Sequence, residues 1–539
     1  MHTLPSPPRR TSVRSLGPRL ALPLLLLAGG ACQDGATPAL DGAGSVEAVE
    51  LTIRELHSAL ANRRTRCRAV IQAHLDRIHA YDESSGLHAV TEINPNALTT
   101  ADSIDAALAA GAPMGAMACV PVLVKDNFNT HDLPTTGGSV ALLGNIPPTD
   151  AFMVRRLREE GAVILAKTNM AEWAFSPRQT ISSSYGTTAN AYDLARVPAG
   201  SSGGSASGVA AAFGVVGLGS DTGNSIRGPA SHLALVGIRS TLGLTSRSGV
   251  IPLSFDRDVA GPLTRTVEDA ARVFNVVAGT DPEDPYTDLG GHLREADYTS
   301  FLVPDALESR KVGVIRRFAD PSTADPEVLQ RFQEALEVLA EQGADIMDPF
   351  PLPELDAWLS QATFCRRFRY DVHQYLLSLG SDAPILDPLT VLETGDFGSD
   401  AEAGLRSFGE GPLNVHPAQA DPPCLDFAQH PGRQRLLNNV IMAMDEAGLD
   451  ALVFPTWSHP PAPLDRGNEE YRGDNSQGLV PSAGLPAITV PMGFTQGTLP
   501  AGLQFAGRPY SEGLLFGLAF AYEQATLHRR PPSAFPPLP

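Results

Sequence analysis

Residues 196–229, RVPAGSSGGSASGVAAAFGVVGLGSDTGNSIRGP, constrain this chain more than any other stretch. Two Ser/Gly clusters, residues 200–205 and 222–225, are joined by a small-residue segment, 206–217, suited to close packing. Small side chains let the backbone approach other groups closely and adopt φ > 0 where a turn needs it. Bare N–H groups at a helix start or in a backbone nest hold an anion or an oxyanion. Two hydroxyl clusters tied by a buried Ala/Gly/Val segment suggest a serine nucleophile with a second serine beside it. A Gly/Ser linker is the competing reading. The run Val209-Ala210-Ala211-Ala212-Phe213 follows at once, and a solvated linker does not carry one.

The rest of the composition bounds the answer. The 539 residues exceed what one ordinary core supports, so the chain is either several domains or one large α/β enzyme. Its 43% hydrophobic and 19% charged residues are those of a globular protein. A net charge of −20 argues against a nucleic-acid binder. Lysine is nearly absent: Lys125, Lys167 and Lys311 stand alone, and Arg supplies the remaining positive charge. A lysine retained in such a chain marks a place where a titratable amine is wanted, because Arg does not deprotonate in proteins.

The N-terminus reads as an export signal over residues 1–31. Arg9, Arg10, Arg14 and Arg19 precede the apolar run 20–27, and Ala28-Gly29-Gly30-Ala31 leads to Cys32. Either cleavage after Ala31 releases a soluble protein, or Cys32 is lipidated and anchors a cell-envelope lipoprotein. Residues 32–46, rich in Gly, Ala and Asp, read as a tether. No later stretch is long and apolar enough for a membrane span. The remaining cysteines, Cys67, Cys119, Cys365 and Cys424, form no C-x-x-C pattern, so no metal site is expected. Three pairings are open to them. Cys67 and Cys119 lie in apolar patterns and read as core thiols.

In the body of the chain, Cys67, Val70, Ile71, Leu75 and Ile78 recur at helical spacing, and residues 97–110 read as a second helix. The apolar strand 120–124 ends at Lys125. Asp150 is expected to cap a helix over 151–160 that stops at Gly161. The apolar strand 162–166 follows. Strand–helix–strand with continuously apolar strands means α/β with a largely parallel sheet, whose ligands gather at the carboxyl ends of the strands. Lys125 sits at such an end. If it is buried, desolvation lowers its pKa from about 10.4 toward neutrality, and a neutral amine can act as a general base.

These residues resemble the amidase signature family of serine hydrolases across roughly residues 50–532. The resemblance rests on VPVLVKDN at 120–127, AKTNMAE at 166–172, GSSGGS at 200–205 and GSDTGNSIR at 219–227. GLPAITVP at 484–491 and GLQFAGRP at 502–509 are similar too. It implies one α/β/α domain over 47–532, with a mostly parallel mixed sheet flanked by helices, followed by a tail at 533–539. It implies a carboxamide substrate, no cofactor, and a Ser–cis-Ser–Lys triad. Ser225 would be the nucleophile, Ser201, preceded by a cis peptide bond, the bridging serine, and Lys125 the base. The backbone N–H groups of Thr222, Gly223, Asn224 and Ser225 would hold the oxyanion, and Asp221 and Arg227 would pair to support the loop. Two departures stand out. Asn224 replaces a second Gly, and its side chain would either add an oxyanion donor or narrow the pocket. Ala199 replaces a frequent Gly, which is expected to need only an ordinary φ.

His232, Trp457 and His459 lie near these motifs and read as packed residues or pocket lining. Residues 387–426, rich in Gly, Pro and Asp, read as cover over the active-site mouth, and Phe364 and Phe368 as possible pocket residues. Helices are expected over 327–342 and 364–379. An α/β-hydrolase using Ser202 in a G-x-S-x-G turn is the mechanistic alternative, but residues 196–199 make a poor strand because of Pro198. The functional alternative is an amidotransferase component of the same family, working on charged tRNA with a partner. A catalytically dead binding lipoprotein is the third.

Overall fold

The computed structural model describes residues 47–363 and 365–539. The export signal, Cys32, the tether and Phe364 lie outside the described residues. The frame is a mixed sheet of eleven strands flanked by helices. In chain order the strands are β1 (Val90–Ile93), β2 (Pro121–Lys125), β3 (Val163–Thr168), β4 (Thr180–Ser182), β5 (Gly186–Thr188), β6 (Val216–Asp221) and β7 (Val236–Arg239). They continue with β8 (Val259–Thr264), β9 (Lys311–Val314), β10 (Asp345–Met347), β11 (Ala451–Pro455), β12 (Ala487–Thr495) and β13 (Leu499–Ala506). Across the sheet the order is β1-β3-β2-β6-β8-β7-β12-β13-β11-β9-β10, and β4 and β5 form a separate hairpin.

Parallel pairing lies in two blocks, β3-β2-β6 and β11-β9-β10. Antiparallel pairs fill the centre, from β6-β8 to β13-β11, and β1 joins the edge antiparallel to β3. The first block follows directly from composition. β2, β3 and β6 are buried along their whole length, as strands covered on both faces must be. Helix Gly203–Ala210 is the link between the two Ser/Gly clusters. All eight of its residues are buried, and only Gly, Ala, Ser and Val fit a helix held so closely against β2 and β6.

The expected helices occur at Cys67–Ser85, Ala97–Ala109, Pro326–Glu341 and Phe368–Ser378. The helix after Asp150 runs from Phe152 to Glu159, but Ala151 holds the cap position and no side chain caps it. Asp150 is instead taken by His131, whose backbone N–H reaches it at 3.0 Å, and by Arg158 at 3.1 Å. Cys67 and Cys119 are not free core thiols. They are fully buried, as their apolar setting implies, and they form a disulfide with Cα atoms 5.4 Å apart. The start of helix Cys67–Ser85 stands against the segment entering β2, a proximity that neither local pattern contains. Cys365 and Cys424 form the second disulfide.

Candidate active site

Lys125 ends β2, inside the parallel block, with Val124 paired to Leu218 of β6. Its side chain is wholly buried. Nζ donates to Ser201 Oγ at 2.7 Å and to Ser220 Oγ at 2.9 Å, with the Ser220 carbonyl at 3.5 Å. Burial pushes the amine down to about 7, against the opposing pull of Asp258 and Asp221. Lys167, at the matching end of β3, is equally buried but serves the frame. It donates to the Phe128 carbonyl and Thr135 Oγ1, each at 2.7 Å.

Ser201 reaches Lys125 from the turn before helix Gly203–Ala210, and the Gly200–Ser201 peptide bond is cis. A Cβ on Gly200 would lie 2.4 Å from the Gln179 carbonyl and 2.5 Å from that of Ser176, so only glycine fits. Ala199 departs from expectation. Its φ is +64°, in the left-handed region, with its carbonyl held by Thr180 Oγ1 at 2.9 Å and the following N–H of Gly200 by the Pro177 carbonyl at 3.0 Å. Ser202 is buried and donates to the Ser220 carbonyl at 3.2 Å. It does not line the cavity described below, and residues 197–199 form no strand, so the G-x-S-x-G turn of an α/β-hydrolase is absent.

Ser225 follows β6 on the loop 222–225. Asp221 anchors this loop. Its carboxylate accepts from Arg227 Nε at 3.1 Å and Arg239 Nη1 at 2.9 Å, with all three side chains at 0% exposure. Burial pushes the Asp221 carboxyl up, but the two guanidiniums outweigh it and hold the group at about 2. Arg227 also donates to the Gly223 carbonyl at 2.5 Å and to Gln504 Oε1 at 3.0 Å. Thr222 Oγ1 donates to Asp258 at 2.5 Å. A Cβ on Gly223 would sit 2.1 Å from Gln477 Oε1, so a larger residue there must displace that side chain. Among the described residues, the N–H groups of Gly223, Asn224 and Ser225 have no acceptor within the protein. With Thr222, these residues line a cavity of about 570 Å³.

Asn224 does not add an oxyanion donor. Its Nδ2 is committed to Asp474 Oδ2 at 2.9 Å and to the Pro177 carbonyl at 3.2 Å. Nor does it need a positive φ. Its Oδ1 accepts from Ser225 Oγ at 3.4 Å. Ser201 and Ser225 are not hydrogen-bonded to each other, so the structure joins Lys125 to Ser201 directly and leaves the Ser225 hydroxyl turned toward Asn224.

Several neighbours carry no strong sequence signal. Ser220 shares a run with Asp221, yet its contact with Lys125 depends on β6 lying beside β2. Asn127 Nδ2 orients it at 3.0 Å. Asp258, Arg239, Asp474 and Gln477 come from remote segments. Trp457 packs on His232, with ring centres 4.4 Å apart, and donates to the Arg472 carbonyl at 2.7 Å. His232 is buried, which pushes its imidazole down to about 3. Neither ring lines the cavity, nor does His459. Phe368 packs edge-on to Trp173 in a satellite core and does not line it either. Ser407 and Phe408, from helix Ser399–Phe408, do. His131, Asp132 and Asp150 form the metal-capable cluster among the described residues; it lies off the cavity, and Arg158 already bridges its two carboxylates.

A family model described as Amidase matches residues 69–516. A glutamyl-tRNA(Gln) amidotransferase subunit from Cyanothece sp. PCC 7425 is 36% identical over 495 residues, covering 88% of this chain and 98% of the relative. The native peptide amidase of Stenotrophomonas maltophilia superimposes with a TM-score of 0.79 at 33% identity, covering 90% of this chain and 98% of that one. The corresponding glutamyl-tRNA(Gln) amidotransferase subunit from Thermotoga maritima superimposes with a TM-score of 0.67 at 27% identity, covering 89% of this chain and 96% of that one.

Proposed function

The chain belongs to the amidase family, the amidase signature enzymes, and from that premise we propose that it is a serine amidohydrolase cleaving a carboxamide through an acyl-enzyme on Ser225. The observation that carries this reading is Lys125: a wholly buried amine, brought by burial to about 7, 2.7 Å from the hydroxyl of Ser201. Once neutral, the amine directs two N–H bonds at the Ser220 hydroxyl and carbonyl, and its lone pair faces Ser201. Ser225 rotates from Asn224 toward Ser201. Lys125 takes the Ser201 proton as Ser201 takes the Ser225 proton, and Ser225 Oγ bonds to the amide carbon. The carbonyl electrons move onto oxygen, where the free N–H groups of residues 223–225 receive them; one such donor is commonly worth about 3–4 kcal/mol. Ser201 returns a proton to the leaving nitrogen, recovering its own from Lys125, and the C–N bond breaks. Water, deprotonated through the same relay, then displaces Ser225.

The test is a hydrolysis screen of amides varied in acyl length and amine, with Ser225→Ala as control, together with labelling by a fluorophosphonate. Turnover with label on Ser225 supports the reading. Turnover that survives Ser225→Ala sinks it. A second reading, an amidotransferase component, is favoured by the 36% identity to the Cyanothece amidotransferase protein. It requires glutamine hydrolysis to depend on a partner protein and tRNA. Activity of the isolated chain on simple amides argues against it. The export reading of residues 1–31 fits the two disulfides, which persist in oxidising compartments. Palmitate labelling lost in Cys32→Ala would establish the anchored form, and release of the intact mature chain the soluble one.

A further inference from the structure

Asn224 stands where the resemblance expects a second glycine, and its side chain is locked in one orientation beside the candidate nucleophile. With Ser225 in place it is wholly buried, at the wall of the cavity. Both hydrogens of its amide nitrogen are committed: Nδ2 donates to Asp474 Oδ2 at 2.9 Å and to the Pro177 carbonyl at 3.2 Å. The Pro177 carbonyl can only accept. Asp474 is itself held in the accepting role, by the Tyr471 hydroxyl at 2.7 Å on the same oxygen and by the Ser476 N–H at 3.0 Å on the other. A reversed amide would set its oxygen against these two acceptors. Oδ1 is therefore turned to Ser225 Oγ, 3.4 Å away.

Ser225 cannot keep this bond and act. In the proposed relay its proton goes to Ser201, so Oγ must swing off Oδ1. At 3.4 Å the bond is long for O–H···O, and Ser225 gives up little by leaving. The loss falls on Asn224. Among the described residues, Ser225 is the one donor to Oδ1, and a buried carbonyl oxygen without a donor is unfavourable by more than the lost bond was favourable. The incoming group can replace that donor. A carboxamide brings an N–H beside the reacting carbon, whereas an ester has an oxygen there and brings none.

We infer that Asn224 Oδ1 receives the N–H of the scissile amide once Ser225 turns to Ser201, and that Asn224, oriented by Asp474, selects amides over esters. The inference rests on the amidohydrolase reading. No proton passes to Asn224. Held by its N–H, the nitrogen keeps its lone pair for Ser201, which protonates it as the C–N bond breaks. N-Methylhexanamide and methyl hexanoate are suitable probes. They are nearly the same size and differ only in N–H for O. With water both give hexanoic acid, together with methylamine or methanol.

Hexanoic acid release is measured for both compounds with the wild type, Asn224→Ala and Asp474→Asn. Alanine suits the site because the Asn224 backbone has no positive φ. In Asn224→Ala the ratio of kcat/KM for the amide to that for the ester should fall at least about tenfold: the amide loses a buried hydrogen bond, and the ester no longer strands an oxygen. In Asp474→Asn the new amide can donate as well as accept, so Asn224 is free to turn over, and the ratio should fall at least about threefold. Partial unfolding lowers both rates alike and does not move the ratio. A smaller fall in Asn224→Ala overturns the inference and leaves the amidohydrolase reading standing. A fall there without one in Asp474→Asn overturns the part given to Asp474. If neither variant folds, or if the wild type takes a fluorophosphonate label on Ser225 yet cleaves neither compound, protection decides: the amide must slow labelling of the wild type more than the ester does, and equal or weaker protection overturns the inference. A wild type that cleaves only the ester, or that cleaves neither and takes no label on Ser225, overturns both.

Discussion

At the scale of single residues, the proposed relay stands or falls on Lys125. Lys125→Ala should lower amide turnover by at least about 100-fold, the usual contribution of a general base, with an unchanged circular dichroism spectrum. Substantial activity in that variant would remove Lys125 from the relay. In the proposed relay the working form is the neutral amine, so kcat/KM should rise with pH through an apparent value near 7. The same shift acts on stability. An unfolded lysine keeps its proton to about 10.5, whereas the folded amine loses it at about 7, so unfolding between these values takes up a proton and stability rises with pH. Denaturant titrations of wild type and Lys125→Met at pH 7 and 8 isolate the effect. The difference between the two proteins should change with pH in favour of the wild type, by about 1 kcal/mol per pH unit at most. A difference independent of pH would mean the amine is charged in the fold. Ala199 offers a separate test. Its φ of +64° costs an L-residue roughly 1–2 kcal/mol, of which glycine recovers the part not spent on its own chain entropy. Ala199→Gly should therefore raise the midpoint of chemical denaturation slightly without changing turnover of the hydrolysed amide.

At the scale of elements, the loop after β6 works because Asp221 ties it to two arginines. Asp221→Asn leaves Arg227 and Arg239 buried with half their compensation, a defect that typically costs about 3–5 kcal/mol. The expected result is a lower unfolding midpoint together with a lower kcat, since the same loop presents the N–H groups of 223–225. A variant that loses stability and keeps kcat would separate the anchor from the proposed oxyanion site. The sign with pH differs in origin from that of Lys125. The folded carboxyl, held at about 2, titrates below its ordinary 3.8, so its stabilisation is complete above that value and is lost as pH falls toward 2. The pairing of Asp221 with Arg227 was available from the family resemblance carried by GSDTGNSIR at 219–227. Arg239 was not, because β7 meets the loop only through the antiparallel order β6-β8-β7.

At the scale of the whole molecule, two covalent ties close long loops. The Cys67–Cys119 bridge spans 52 residues and joins helix Cys67–Ser85 to the segment entering β2. Closing a loop of that length removes unfolded-state entropy worth about 3–4 kcal/mol. The double variant Cys67→Ala/Cys119→Ala should unfold at clearly lower urea concentration than the wild type under non-reducing conditions. Coincident curves would show that the bridge adds nothing to the fold. The sheet explains why the site is where it is. Lys125, Ser201 and Ser225 come from three segments, and parallel pairing of β2 with β6 brings the ends of those strands together.

Much of the fold was present in local pattern. The apolar strands over 120–124 and 162–166 and the helices beginning near 67, 97 and 326 follow from periodicity and burial, which act over a few residues; the segment between the serine clusters was legible as closely packed, and the structure made it a helix. The candidate residues for the proposed relay were also nameable from the chain, because a scarce lysine at a strand end and paired Ser/Gly clusters are chemical features of the chain itself. Tertiary structure alone decided which groups surround them: Ser220 beside Lys125, Asp474 holding Asn224, and the cysteine partners. Those depend on strand order and on contacts between residues far apart in the chain, and a sequence read locally holds no record of that proximity.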